Sequence, residues 1–275
     1  MKKVLRLIVY IALLCLILSY FKYGLKNETI DRSQGHAWEN YDSTLLYQLR
    51  SVNDLINYAD ASLGKDNRQT LDYVQFLSKT ISFRFYHSYS TYTFQQNWIS
   101  YLSGQFIWSN LNAVVIPDDI MKYPYAACSQ VSIVLAAALK KIGVPYRKVG
   151  LKGHFALEAN VDGKWYFFDA NLEPHFPKGI KSLDELIRNK ELYLGYEGHI
   201  SLQLYNNVFS TIDYGKPNEA LAPNATIFHR VTFLASILLP FALVIYILVD
   251  LSQFIFHKRN TLTTVKKGKS IRLNI

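Results

Sequence analysis

The chain carries two cysteines, Cys15 and Cys128, and only the second stands where its type and surroundings could do chemistry. Cys128-Ser129-Gln130 opens an apolar run, 131–142, that reads as a helix stopped by Gly143. Amides at a helix start lack partners, and the helix dipole is positive there. Such a place favours an anion at sulfur and makes a cysteine a nucleophile near neutral pH. A nucleophile of this kind needs a base, and the base needs a group to orient it. Downstream, His154 and Asp169 are residues of those types.

A hairpin relates the two. Residues 149–160 read as one strand region, Asp162-Gly163 as a two-residue turn, and 165–171 as the returning strand. With that turn Val161 faces Lys164, Ala156 faces Asp169 and His154 faces Asn171. Side chains alternate along a strand, so His154, Ala156 and Glu158 share a face with Phe167, Asp169 and Asn171. His154 and Asp169 become diagonal neighbours, about 7–8 Å apart at the backbone, which their side chains can close to a hydrogen bond. A slip of one residue would put them on opposite faces. Taken singly, a free cysteine is more often a small buried hydrophobe and a strand histidine more often structural. Their order, spacing and shared face together favour a Cys128–His154–Asp169 triad.

The stretch 125–174 resembles the core of the transglutaminase-like superfamily, which is related in fold to papain-like cysteine proteases. The matching features are Ala127-Cys128-Ser129, the apolar helix, Gly143-Val144-Pro145-Tyr146-Arg147, Gly153-His154-Phe155-Ala156-Leu157-Glu158, and the run from Asp162 through Trp165 to Asp169. The resemblance implies Cys128 as nucleophile, His154 as general base and Asp169 as the residue that orients it. It also implies a papain-like core at 120–195, in which a helix bearing Cys packs on an antiparallel sheet bearing His and Asp. Ala126-Ala127 stands where the family usually has glycine one residue removed from the cysteine. The Cys128 amide is one expected oxyanion donor; Gln105, Trp108 and Tyr123 are the upstream candidates for the second. Trp165, Asn171 and Glu173 are possible lining residues of the site.

The elements that must hold these residues read as an α+β domain over 43–226, with an added helical N-terminal part. Apolar residues recur at helical spacing in 43–63 and 68–83, and a third helix fits 94–108. Ser182-Leu183-Asp184-Glu185 is a capping box that starts a helix ending near Tyr193. Residues 196–227 read as a loosely structured return.

Charge separates the middle from the ends. The chain has 30 Lys+Arg and 21 Asp+Glu, a formal +9, yet residues 24–226 hold 19 of the basic residues and 20 of the acidic ones. The flanks hold the other 11 basic residues and the single acid Asp250. A neutral middle excludes the basic stripe that nucleic-acid binding needs. Residues 7–21 and 231–249 are apolar runs, the second about the length a bilayer core demands. Both are flanked by basic residues on the terminal side, which predicts two membrane helices, 1–22 and 227–256, with both termini cytoplasmic. A linker at 23–42, an extracytoplasmic domain and a basic cytoplasmic tail at 257–275 complete the layout. No A-x-A-like site follows the first run, which favours an uncleaved anchor over a signal peptide, and Cys15 is an apolar residue within it.

The histidines show no zinc spacing, and no glycine-rich phosphate loop appears, so no cofactor or metal is expected. The reading is of a membrane-anchored hydrolase or acyltransferase in the plasma or inner membrane. It would act on peptide or protein amides through a thioester. The alternative is a non-catalytic binding or assembly module of the same superfamily, and pairing with another membrane protein is a further possibility.

Overall fold

The computed structural model describes residues 2–23 and 41–271. The expected linker at 23–42 therefore lies almost wholly outside the described residues. Helix α1 is Lys2–Tyr23; α2 Ser43–Gln48, α3 Val52–Leu63 and α4 Leu71–Arg84 follow. Strand β1 is Tyr86–His87, α5 Phe94–Phe106, α6 Pro117–Ile120 and β2 Tyr125–Ala126. Then come α7 Cys128–Ile142, β3 Tyr146–Leu151, β4 His154–Val161 and β5 Lys164–Phe168. The chain closes with α8 Leu183–Arg188, α9 Leu192–Tyr196, α10 Leu202–Val208, β6 Ile212–Tyr214 and α11 Pro223–Ile271. The architecture is mixed helix and antiparallel sheet, as expected at the level of fold class.

The main sheet has the order β5-β4-β3-β6, every pair antiparallel. Alternation along its strands feeds two cores. Tyr146, Leu157, Ala159, Val161 and Phe168 join the core that includes α7, α3 and α4. Val149, Leu151, Ala156 and Phe167 join the other, with Leu183, Leu186, Leu192 and Tyr196. Helix α7 is apolar on nearly every side because it lies inside the first core. Gly143 ends it in the left-handed conformation, φ 79°, which glycine adopts without a Cβ clash.

The hairpin register is the one read from the sequence: Val161 pairs with Lys164 and Leu157 with Phe168. Asp162 and Gly163 both have positive φ, 51° and 79°, as a type I′ turn requires. Several expected boundaries differ. The region 149–160 is not one strand but two, β3 and β4, folded at Lys152-Gly153, where Gly153 takes φ 71°. Strand β5 stops at Phe168, because the Asp169 carboxylate accepts the amides of Asn171 and Leu172 and turns the chain. The expected helix 43–63 breaks after Gln48, where Ser51 caps a second helix through the amide of Asp54. The helix from Ser182 ends at Arg188 and resumes as α9 after Lys190 at φ 57°. The supposed loose return contains α10 and β6, the latter pairing with the edge of β3.

Only one helix among the described residues, Pro223–Gln253, is long and apolar enough to cross a membrane. The apolar part of α1, Arg6–Ser19, is shorter than that, so of the two expected membrane helices only the second has the length and composition of a span. Helix α1 packs along α11, and Arg6 pairs with Asp250 at 2.6 Å.

Glu158 ties the two cores together. Its side chain is fully buried; one oxygen meets Arg147 at 2.6–2.7 Å, and the other accepts the Leu183 amide at the start of α8, 2.7 Å. The Arg147 guanidinium sits between the rings of Trp165 and Tyr214, 4.6 and 4.2 Å from their centroids. Glu158→Gln is expected to lower stability by about 2 kcal/mol, because a charge-assisted bond becomes neutral in a buried place. Thermal unfolding of the purified protein reads this loss, and unchanged unfolding would contradict it.

Candidate functional site

Cys128 is the first residue of α7, so its amide has no partner within the helix. The helix start is held from both sides. Ala127 has no side chain that can cap, and Gln130 does the work by reaching back. The fully buried Gln130 Oε1 accepts the amides of Ala127 and Ser90, at 3.0 and 2.9 Å. Its Nε2 donates to the carbonyls of Ser90 and Val114, both at 2.8 Å. All four hydrogen-bonding positions of the amide are thus used. They fasten the segment after β1 to the helix that carries the thiol. Strand β2 leads into Cys128 and pairs in parallel with β1, Tyr86 with Tyr125 and His87 with Ala126.

His154 begins β4, at the end of the sheet over which the first turns of α7 pass. There Ser132 Oγ, one turn into α7, donates to the Phe155 carbonyl at 3.4 Å. The imidazole is buried, and its Nε2 lies 2.8 Å from Asp169 Oδ2. The Cys128 side chain is a close neighbour of the same imidazole and acts to raise its pKa; with Nε2 on Asp169, Nδ1 is the nitrogen left to face the thiol. Cys128 itself is half-buried. The three residues named from the sequence are thus brought together, the carboxylate bonded to the imidazole and the thiol beside it.

Asp169 is a carboxylate with every partner a donor. Oδ2 accepts from His154 and from the Tyr196 hydroxyl, each at 2.8 Å. Oδ1 accepts the amides of Asn171 and Leu172, both at 3.2 Å. Burial works to raise its pKa, but His154, Tyr196 and the Leu172 amide outweigh burial and hold it below the usual carboxylate range. For His154, burial works to lower the pKa; the Asp169 carboxylate outweighs it, with help from Cys128, and pushes it up to about 10. The imidazole is therefore an imidazolium at neutral pH. Tyr196, fully buried beside Asp169, has its own pKa driven far above 10 by burial and by that carboxylate, so its hydroxyl stays a donor.

Sequence reasoning missed Tyr196 and Gln130. Tyr196 lies 27 positions beyond Asp169 at the end of a five-residue helix, with no periodic signal pointing to the site. Gln130 had one available signal, a glutamine at the third helical position. Tyr196→Phe is expected to slow any Cys128-dependent reaction about tenfold, the equivalent of one charge-assisted hydrogen bond of about 1.4 kcal/mol. It also raises the acid limb of the pH profile, because the lost donor had been holding the Asp169 pKa down. A loss of stability with an unmoved acid limb would mark Tyr196 as packing alone.

Other expected site residues lie elsewhere. Gln105 is on the exposed end of α5 and Trp108 just past it; α5 packs on α11 rather than on α7, and no described contact brings either residue to Cys128. Tyr123 is buried, and its hydroxyl donates to Gln96 Oε1. Trp165 pairs with Asn160 near the hairpin turn, six residues along β4 from His154, and packs on Arg147. Asn171 is buried; its amide serves Asp169, and its carbonyl accepts from His87 Nε2. Glu173, at φ 51°, lines a cleft of about 480 Å³ together with Asp169, His175, His199 and Lys79. That cleft opens behind Asp169, and neither Cys128 nor His154 lines it. Among the described residues no group of three or more His, Cys, Asp or Glu side chains could hold a metal ion. Comparison of the chain with protein-family models, curated proteins and solved structures finds no match.

Proposed function

We propose that the globular part is a cysteine-nucleophile hydrolase or acyltransferase with a transglutaminase-like core, held at the outer face of a membrane by α11 with α1 alongside. The observation that carries the reading is the Asp169–His154 hydrogen bond set beside Cys128 at a helix start whose first amide has no partner within the helix. The cationic His154 is the proton donor of the reaction, and the reacting form of Cys128 is its thiolate. The thiolate attacks the carbonyl carbon of an amide, forming a C–S bond and a tetrahedral oxyanion. The Cys128 amide is one donor to that oxyanion. The imidazolium gives its proton to the leaving nitrogen, the C–N bond breaks, and a thioester and a free amine result. Water, or a second amine, then loses a proton to His154 and attacks the thioester, and the C–S bond breaks to restore the thiolate. Hydrolysis is the simpler outcome, since it needs no site for a second protein amine.

An epoxide or other thiol-directed amide probe on the detergent-purified protein tests this. Rapid modification is expected at Cys128 and not at Cys15, mapped by peptide mass spectrometry. His154→Ala is expected to slow it by at least about 100-fold, the lower end of what a positioned base contributes. Modification at the pace of an ordinary thiol, unaltered in His154→Ala, would leave a binding or assembly module in place of an enzyme.

A further inference from the structure

The longest run without a charged residue is not the candidate span. Residues 85–117 contain no Lys, Arg, Asp or Glu, a stretch of 33, whereas the apolar run of α11, 231–249, has 19. Helix α5 lies inside this run, and its exit is laid open to the outside: Phe106, Ile107 and Trp108 are 79%, 77% and 59% exposed in sequence. Gln105, Ser109 and Asn110 beside them are exposed too, so the patch has polar neighbours but no charge.

Where α5 meets α11 fixes the level of this patch. Ser100 Oγ meets His229 Nδ1 at 3.2 Å, Asn97 Nδ2 donates to Thr232 Oγ1 at 2.9 Å, and Trp98 Nε1 donates to the Ser236 carbonyl at 2.9 Å. Trp98 and Ser100 are two residues apart on a helix, about 200° around its axis, so they point to opposite sides. Their partners are seven residues apart on α11, about 10 Å along it. The backbone of α5 breaks at Asn97, φ −156° and ψ 82°, so the relation concerns the part from Trp98 to Phe106: α11 runs across that part rather than along it, and it lies flat when α11 stands upright. Its Trp98 side is the side further into the apolar run. Ser236 is five residues past Val231, or about 7.5 Å deep by helical rise. That matches the depth of about 5–10 Å at which interfacial helices settle between headgroups and acyl chains. Aromatic residues crowd this helix and its exit: Trp98, Tyr101, Phe106 and Trp108. Rings of this kind prefer the membrane–water boundary.

We infer that α5 and its exit, residues 105–110, form a second membrane contact, lying flat in the headgroup region of the leaflet next to the globular part. The inference rests on the reading of α11 as a span. The occupant it commits to is the lipid interface itself, and the absence of charge means that zwitterionic lipid suffices. The experiment uses the full chain in phosphatidylcholine nanodiscs, in a Cys15→Ser, Cys128→Ser background. Nitroxide labels are placed through Phe106→Cys, Ile107→Cys and Trp108→Cys in turn, with Phe241→Cys on α11 and Tyr58→Cys on α3 as references. Relaxation by oxygen, which concentrates in lipid, is compared with relaxation by a water-soluble nickel chelate. Labels at 106–108 are expected to favour oxygen, as at 241, while 58 favours nickel. Nickel preference at 106–108 with oxygen preference at 241 overturns the inference and leaves the span standing. Shielding of 106–108 from both reagents also overturns it, and identifies a second copy or another protein as the cover. Nickel preference at 241 removes the span and the inference together.

Discussion

An Asp169→Asn protein is expected to lose about 10⁴-fold in kcat/KM, the scale seen when the orienting carboxylate of a serine-protease triad becomes an amide. All four partners of the Asp169 carboxylate are donors: two side chains on Oδ2 and two backbone amides on Oδ1. Asparagine has one acceptor oxygen to offer. If it stays on the backbone amides, its NH₂ group faces His154 Nε2 and the Tyr196 hydroxyl. The imidazole must then accept at Nε2 and carry its proton on Nδ1, the nitrogen that should take a proton from the thiol. Charge changes in the same direction. Without the carboxylate, burial is opposed on His154 only by Cys128, and its pKa falls from about 10. The imidazolium then survives only to lower pH, so the alkaline limb of the rate profile moves down. Stability responds at both ends. The raised His154 pKa stabilises the fold fully below about 6.5, and this contribution is lost as pH rises through about 10. The lowered Asp169 pKa contributes above 3.8 and is lost as pH falls. The unfolding temperatures of the wild type and Asp169→Asn should differ most between these limits and converge outside them. A rate within tenfold of the wild type would remove Asp169 from the mechanism.

Arg84→Met is the second large effect, expected at about 3–5 kcal/mol of stability. Arg84 is fully buried, and among the described residues no carboxylate meets its guanidinium. It donates instead to three carbonyls from separate segments: Leu49 at 3.0 Å, Tyr123 at 2.8 Å and Met121 at 2.5 Å. Burial lowers its pKa to about 10, so the cation is itself costly to keep there. Methionine relieves that cost but strands three buried carbonyls, and the stranded acceptors win. For a domain of this size the shift in unfolding temperature is on the order of 6–20 °C. Arg84→Lys should not rescue it, because one ammonium cannot fork to three segments. Two of the carbonyls belong to the stretch between α6 and β2, which leads into Cys128, so probe labelling should slow as well. Unfolding unchanged from the wild type would show that the three carbonyls find other donors.

The parts of the site that were legible in the sequence are those fixed by short-range rules. Asp162-Gly163 sets the hairpin register, and the register sets which residues flank His154. Gly143 marks the end of α7, and hence which residue begins it. The carboxylate–imidazole contact follows from those two facts, although Asp169 reaches His154 from just past the strand rather than from within it. What could not be read depends on chain returning from far away. Tyr196 arrives on a helix of five residues, and β6 is three residues whose only reason to be a strand is the free edge of β3. Arg84 looks like a routine cation at a helix C-terminus, and only tertiary structure turns it inward. Gln105 and Trp108 were plausible as donors by type alone; helix α5 turned out to answer to α11.

Helix α11 starts inside the globular part at Pro223 and continues without a joint into its apolar stretch. Gln130 ties the start of α7 to Ser90, and two residues on from Ser90 the ring of Tyr92 packs at a tilt against His229 of α11, 5.0 Å between centroids. On the proposed reading of α11 as a span, the thiol is thereby mounted on a mast rather than swung on a leash. It would patrol a thin slab at one altitude above the lipid, and amide bonds held much higher or lower would pass out of range whatever their chemistry.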